Sequence, residues 1–218
     1  EEAGMEKSPS EMFAEGNWSY DDFYDYAVEL KSKLGEDEYP FYTDPYYWIL
    51  FATAANGVKI VNDDGTLNYM DDGVIEALDF LQKLYDAGLV RVADTAEDGT
   101  YDTWGTPSNT FDKGVEVAMT HRASWQAASL VEAIDFGFVP YPWGSNVTVG
   151  TQDQADSYTT LSDNYAATFY DAQTVIMTKG IEEKGDPALI SMMVTELISW
   201  DFAVDEFYNE KQVSEVDY

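Results

Sequence analysis

One histidine and no cysteine stand in this chain of 218 residues, beside 42 acids, 6 Trp, 16 Tyr and 11 Phe. That supply limits the chemistry. Without Cys there is no disulfide, thiolate zinc site or Cys nucleophile. His121 is alone, so no imidazole cluster can hold a metal, and a lone His near a strand end reads as a structural or surface residue before it reads as a base. No G-x-S-x-G, H-E-x-x-H or phosphate-binding glycine loop occurs. Asp63-Asp64-Gly65 and Asp94…Asp98-Gly99…Asp102 lack the ligand spacing of a calcium loop, and turn formation explains them better. What remains is carboxylates for acid–base work and aromatic rings beside acids, which suit stacking and hydrogen bonding in a recognition pocket.

Several constellations carry those types. Asp44-Pro45-Tyr46-Tyr47-Trp48 places an acid at a helix start and three rings behind it, although helical spacing prevents all three from facing one way. The plain alternative is a capped helix with core aromatics. Arg122 offers a fork of donors to a hydroxyl or carboxylate, and is equally suited to a surface ion pair with one of the many acids. Trp125 follows it, as a pocket ring or as a core residue at a helix start. Trp143, in a Pro-Gly context, could be a rim residue. Phe169-Tyr170-Asp171 adds two rings and an acid that could also cap a turn, and Trp104 could form a pocket wall.

The elements that must position these groups can be read from caps and periodicity. Residues 1–16 form a polar lead-in with room for a short helix. Ser19 and Asp22 approximate a capping box, Phe23, Tyr26, Ala27, Leu30 and Leu34 recur at helical spacing, and Gly35 stops the run. Tyr39 to Tyr42 is a short aromatic run broken by Pro40. Asp44 caps a second helix with Pro45 at its first position, ended by Asn56-Gly57. Residues 58–61 and 66–69 predict a hairpin around Asn62-Asp63-Asp64-Gly65. Val74, Leu78, Leu81 and Tyr85, widened by Ile75 and Leu84, predict the strongest helix, with Gly88 past its end. Residues 91–109 suit a loop, 115–119 a buried strand, 124–133 a helix, 136–140 a strand, and 143–164 a long polar connection. A strand within 166–177 and a helix opened by Asp186-Pro187 complete the order. Alternating helices and short strands give an α/β class.

The formal charge of −31 argues against nucleic acid and anionic lipid, which need clustered Lys and Arg. Acidic disorder is excluded by the aromatics and an apolar fraction of 45%. No run approaches the ~20 apolar residues of a membrane span, and the first residues show no signal peptide.

Four motif patterns in order carry a family resemblance. Asn17-Trp18-Ser19-Tyr20-Asp21-Asp22-Phe23 resembles W-[TS]-x-[DE]-[DE]-[FL]. Gly65-Thr66-Leu67, Gly73-Val74-Ile75-Glu76-Ala77-Leu78 and Leu84-Tyr85-Asp86-Ala87-Gly88-Leu89-Val90 resemble G-x-L … EAL-x-FL-x-x-LY-x-x-GLV. Phe111-Asp112-Lys113-Gly114 with Val117-Ala118-Met119 and Trp125 resembles F-x-x-GK-x-AM followed by W. Asp135-Phe136-Gly137-Phe138-Val139-Pro140-Tyr141-Pro142 resembles DFG-x-x-P-x-P. These are motifs of the extracellular solute-binding proteins of bacterial ABC importers, family 1, in the maltose-binding-like, sugar-type branch. Val115 stands where Lys is usual, and Arg122-Ala123-Ser124 replaces a small Gly-containing turn.

The resemblance implies a periplasmic-binding-protein-like type II α/β fold, mostly the helix-rich C-terminal lobe with short strands. Residues 1–143 would be second-lobe, 144–165 a polar interlobe connection, and 166–218 a strand–helix segment crossing toward the first lobe. Family members are longer, so a fragment is expected. It further implies capture of a sugar or oligosaccharide without catalysis or cofactor, a membrane permease as partner, a monomer, and a cell-surface place with a lipid anchor outside this chain. Sugar recognition would fall to Asp44, Tyr46, Tyr47, Trp48, Arg122, Trp125, Trp143 and Tyr170. The alternatives are a glycoside hydrolase, built on two carboxylates ~5–9 Å apart, and an acidic protein-interaction domain whose binding would fade with salt.

Overall fold

The computed structural model describes residues 4–95, 97–103, 105–122, 130, 134–150, 161–166, 186 and 188. The chain divides into Glu1–Phe169 and Tyr170–Tyr218. In the second unit the Asp186 carboxylate accepts from the Ala188 N–H at 2.9 Å, the bond expected of a helix cap. The helix expected at 124–133 (Leu130 apart), the strand within 166–177 and the rest of the closing helix lie outside the described residues.

Caps set the helix starts. Ser8 and Glu11 form a capping box that opens α1 (Pro9–Ala14), and Ser19 and Asp22 form one that opens α2 (Tyr20–Lys33). β1 (Tyr39–Tyr42) follows, then α3 (Pro45–Ala55), capped by Asp44, and α4 (Asp72–Asp86), capped by Asp71. The buried stripe of α4 differs from the one the sequence predicts. Val74, Ala77, Phe80, Leu81 and Leu84 face inward while Leu78 is exposed, because the Phe80 ring stacks on Tyr20 at 4.5 Å and turns that face to the core.

The aromatic run at 39–42, which Pro40 argued against as a strand, is the central strand of a parallel sheet. β1 lies between β2 (Val90–Arg91) and β5 (Val117–Thr120), with Phe41 opposite both Val90 and Met119. Pro40 is tolerated because its neighbours make the links: the Tyr39 N–H donates to Glu116 and the Phe41 N–H to Leu89. The 58–69 hairpin is reduced to one bridge, Val61 to Leu67, flanked by the Asn62 N–H donating to Thr66 and the Asn68 N–H donating to Ile60. The expected loop at 91–109 contains the antiparallel pair β3 (Asp94–Thr95) and β4 (Tyr101–Asp102), and the short helix α5 (Gly105–Asn109). Its acids act as local acceptors: Asp98 takes the Thr100 N–H and Asp102 the Gly105 N–H. The strand expected at 136–140 is irregular chain instead.

The core is aromatic. Trp18, Phe23, Phe41, Trp48 and Phe80 are buried and meet mostly edge to face. Three polar heads in it find a main-chain carbonyl: Trp18 Nε1 donates to Pro140, the Tyr20 hydroxyl to Ala52 and Trp48 Nε1 to Ala77. At the far end of α3 the fully buried Asn56 amide donates to the Gly73 carbonyl and to Glu76, and accepts from the Asn146 N–H. Glu76 in turn accepts from the Ser145 N–H and hydroxyl. The approach is close enough to need glycine. A Cβ at Gly73 would lie 2.3 Å from the Asn146 side chain, and one at Gly144 would lie 2.4 Å from Asn56.

Trp48 links α3, α4 and β1, so Trp48→Ala is expected to cost about 3–5 kcal/mol in urea unfolding. A loss below about 1 kcal/mol would show that this ring is not central to the core.

Candidate functional site

Parallel strands gather groups at their carboxyl ends, where α/β proteins commonly bind ligands. Here β1 runs out through Tyr42 and Thr43 into Asp44, and neighbouring β5 runs out into His121 and Arg122. The first turn of α3 rises from the same edge.

Asp44 is 8% exposed. One oxygen, Oδ1, accepts from the Tyr46 N–H at 2.7 Å and the Tyr47 N–H at 3.3 Å. No Lys, Arg or His forms an ion pair with it among the described residues. The helix N-terminus therefore carries its compensation. The three rings behind it separate as helical geometry requires. Tyr46 is 66% exposed and stands over the edge, Tyr47 is half-buried against His121 at 4.9 Å, and Trp48 is fully buried. Trp48 thus lies in the core with its indole N–H committed to Ala77.

Arg122 is an ion-pair residue. Its Nε and Nη2 both donate to Asp112 Oδ1, at 3.1 and 2.5 Å, and its side chain is 7% exposed. Trp143 is also placed inside rather than at a rim. It is 2% exposed, edge-on to Phe13, with its carbonyl accepting from the Tyr20 N–H and its N–H donating to Trp18. Trp104, Trp125, Phe169, Tyr170 and Asp171 lie outside the described residues. The structure therefore brings Asp44, Tyr46, Tyr47 and Arg122 to one edge, and puts Trp48 and Trp143 in the core.

Two residues at this edge were given no site role from the sequence: His121, read there as structural or surface, and Tyr141. His121 stacks between Tyr42, at 6.4 Å, and Tyr47. Tyr141 lies against Phe51 at 5.2 Å and Trp48 at 5.7 Å. His121 Nδ1 and the Tyr141 hydroxyl are both buried without a hydrogen-bond partner; Thr43 lies near the hydroxyl but outside bonding geometry. The available signal for His121 was its place directly after a strand beside β1; for Tyr141 there was only a proline on each side. A hollow of about 540 Å³ lies at the other end of α3, lined by amides such as Asn62, Asn68 and Asn146. Among the described residues no group of three or more His, Cys, Asp or Glu is placed to hold a metal ion, and no helix is long and apolar enough to cross a membrane.

Burial, reinforced by the Arg122 charge, holds His121 down to about 4 from its usual 6.5, with Asp44 pulling the other way. The folded chain therefore keeps a neutral imidazole where the unfolded chain binds a proton. That contribution to stability is full above about pH 6.5 and is lost as pH falls toward 4, at up to ~1.4 kcal/mol per pH unit. His121→Phe should remove it, so wild type should lose about 2 kcal/mol more than the variant between pH 7.5 and 5 in urea unfolding. Equal losses would mean a solvated imidazole.

The two tyrosines with buried hydroxyls supply a contrast. Tyr20→Phe deletes a made bond to Ala52 and should cost about 1 kcal/mol. Tyr141→Phe deletes an unmade one and should leave stability unchanged or slightly raised. The reverse order would show that the Tyr141 hydroxyl is bonded in solution.

No protein-family model matches the chain, and no curated protein sequence matches it. Among solved structures, the sugar-binding protein MalE from the phytopathogen Xanthomonas citri is similar at 18% identity and a TM-score of 0.47, over 65% of this chain and 34% of that one. An ABC substrate-binding protein from Listeria monocytogenes, in complex with cycloalternan, is similar at 20% identity and a TM-score of 0.45, over 61% of this chain and 31% of that one. The chain spans about a third of the length of these solved structures.

Proposed function

We propose that this chain supplies the second-lobe wall of an extracellular solute-binding protein of the type II fold, which captures a sugar or oligosaccharide for an ABC importer. The observation that carries the reading is the exposed Tyr46 ring beside the buried Asp44 carboxylate at the end of the central strand. A ring of that exposure can stack on the apolar face of a pyranose. The carboxylate Oδ1 is held by backbone, which leaves Oδ2 to accept from a sugar hydroxyl. Tyr47 and His121 form the wall behind, and Trp125, three residues after Arg122, adds a second ring on this reading. The order of the four sequence motifs supports the same assignment. No bond is made or broken: the two lobes close on the ligand, and the closed form is favoured by the contacts it alone completes. A permease receives the sugar, and a surface anchor outside this chain holds the protein at the membrane.

Calorimetry on the full-length protein tests this with glucose, galactose, maltotriose and cellotriose. At least one should bind, with little change between low and high salt. Tyr46→Ala and Trp125→Ala should each weaken that binding about tenfold or more, in the range expected for a stacked aromatic contact. Absence of binding to all four, or two folded variants that bind like wild type, would reject the reading.

A further inference from the structure

The charge at the strand ends is set by three groups. Asp112 lies in the 3-10 turn Phe111–Lys113, just before β5, and Arg122 lies just after β5. Their ion pair therefore runs alongside that strand. Both Arg122 donors converge on one Asp112 oxygen, and the pair is mostly buried, at 7% and 25% side-chain exposure. Those bonds fix the guanidinium on Asp112, although its charge is still felt by His121 and Tyr42. Asp44 is the other buried charge at the edge, and no cation is paired with it among the described residues. Burial first, then the Asp44 and Asp102 charges, push the Tyr42 hydroxyl up, and Arg122 acts the other way. An incoming anion would meet Asp44 with no free cation to offset it.

We propose that Asp112 is a specificity-determining residue: by holding Arg122 it leaves Asp44 with backbone N–H groups and no cation as partners, so this edge takes uncharged sugars and turns away carboxylated ones. The proposal rests on the sugar-binding reading above and narrows its ligand class. Arg122 is then a held residue that does not touch the ligand, and Asp112 acts through it. Repulsion from one partly desolvated carboxylate is worth discrimination on the order of a hundredfold.

The test uses matched probes, galactose with galacturonate and glucose with glucuronate, each as free sugar and as its trisaccharide, against the full-length protein. Wild type should bind a neutral member and bind its acidic partner on the order of a hundredfold more weakly. Asp112→Asn frees the guanidinium and should narrow that ratio about tenfold or more. Breaking a buried pair could unfold the chain, so a double variant, Asp112→Leu with Arg122→Met, replaces both charges with apolar groups. It should keep both neutral-sugar affinity and the discrimination. Three results would overturn the proposal while leaving sugar binding intact: equal wild-type binding of neutral and acidic partners, an unchanged ratio in folded Asp112→Asn, or lost neutral-sugar affinity in the folded double variant. Wild type that binds none of the probes would overturn the sugar-binding reading, and this proposal with it.

Discussion

The Asp44 carboxylate is the constraint on which the arrangement of this edge depends. It ends the central strand and starts α3, and the two N–H groups it accepts fix the direction in which that helix leaves the sheet. Once that direction is set, the helical period assigns the neighbours. Tyr46 must stand out, Trp48 must enter the core, and Tyr47 with Phe51 must face the end of β5. One capping interaction therefore decides which aromatic can meet a ligand and which cannot.

The opposite end of α3 is held in a different way. Asn56 uses both amide hydrogens and its carbonyl oxygen to tie that end to the start of α4 and to residues 144–146. With Trp48 packed between the two ends, α3 has little freedom to rotate. Rotation by one residue, about 100°, would drive Tyr46 toward the core and expose Trp48. The polar bonds at the two ends give the helix its register, and the aromatic core makes leaving that register costly.

Local signals in the sequence were legible where one residue type does one job. Ser19 and Asp44 start helices as their chemistry requires, and Gly88, with φ of 66°, lies just past the end of α4. What failed depends on partners far along the chain. Pro40 hid the central strand because the bonds that rescue it come from Leu89 and Glu116. Leu78 looked like core because period alone cannot tell which neighbouring ring, here Tyr20, will claim the helix face. In the site, Asp44 and Tyr46 could be picked out by their position at a helix start, but Tyr46, Tyr47 and Trp48 could not be ranked without the rotation of α3. His121 and the hold of Asp112 on Arg122 were hidden for the same reason: ten residues and a strand separate the pair.

The charge of −31 is therefore a poor guide to the potential a ligand would meet. Several acids among the described residues are spent locally. Asp63 pairs with Lys59, while Asp64 and Asp98 accept from Thr66 and Thr100, and these bonds hold all three carboxyls below their usual range. Those groups are fully solvated, where water and salt screen them within about 10 Å. Asp44 is the one buried acid among the described residues, and burial lengthens the reach of a charge because the surrounding medium screens it less. The field at the strand ends thus follows from one buried carboxylate and one mostly buried ion pair, whose Arg122 end is felt by His121 and Tyr42. A surface with a very different net charge would present the same edge to a ligand, provided Asp44, Asp112 and Arg122 kept their places.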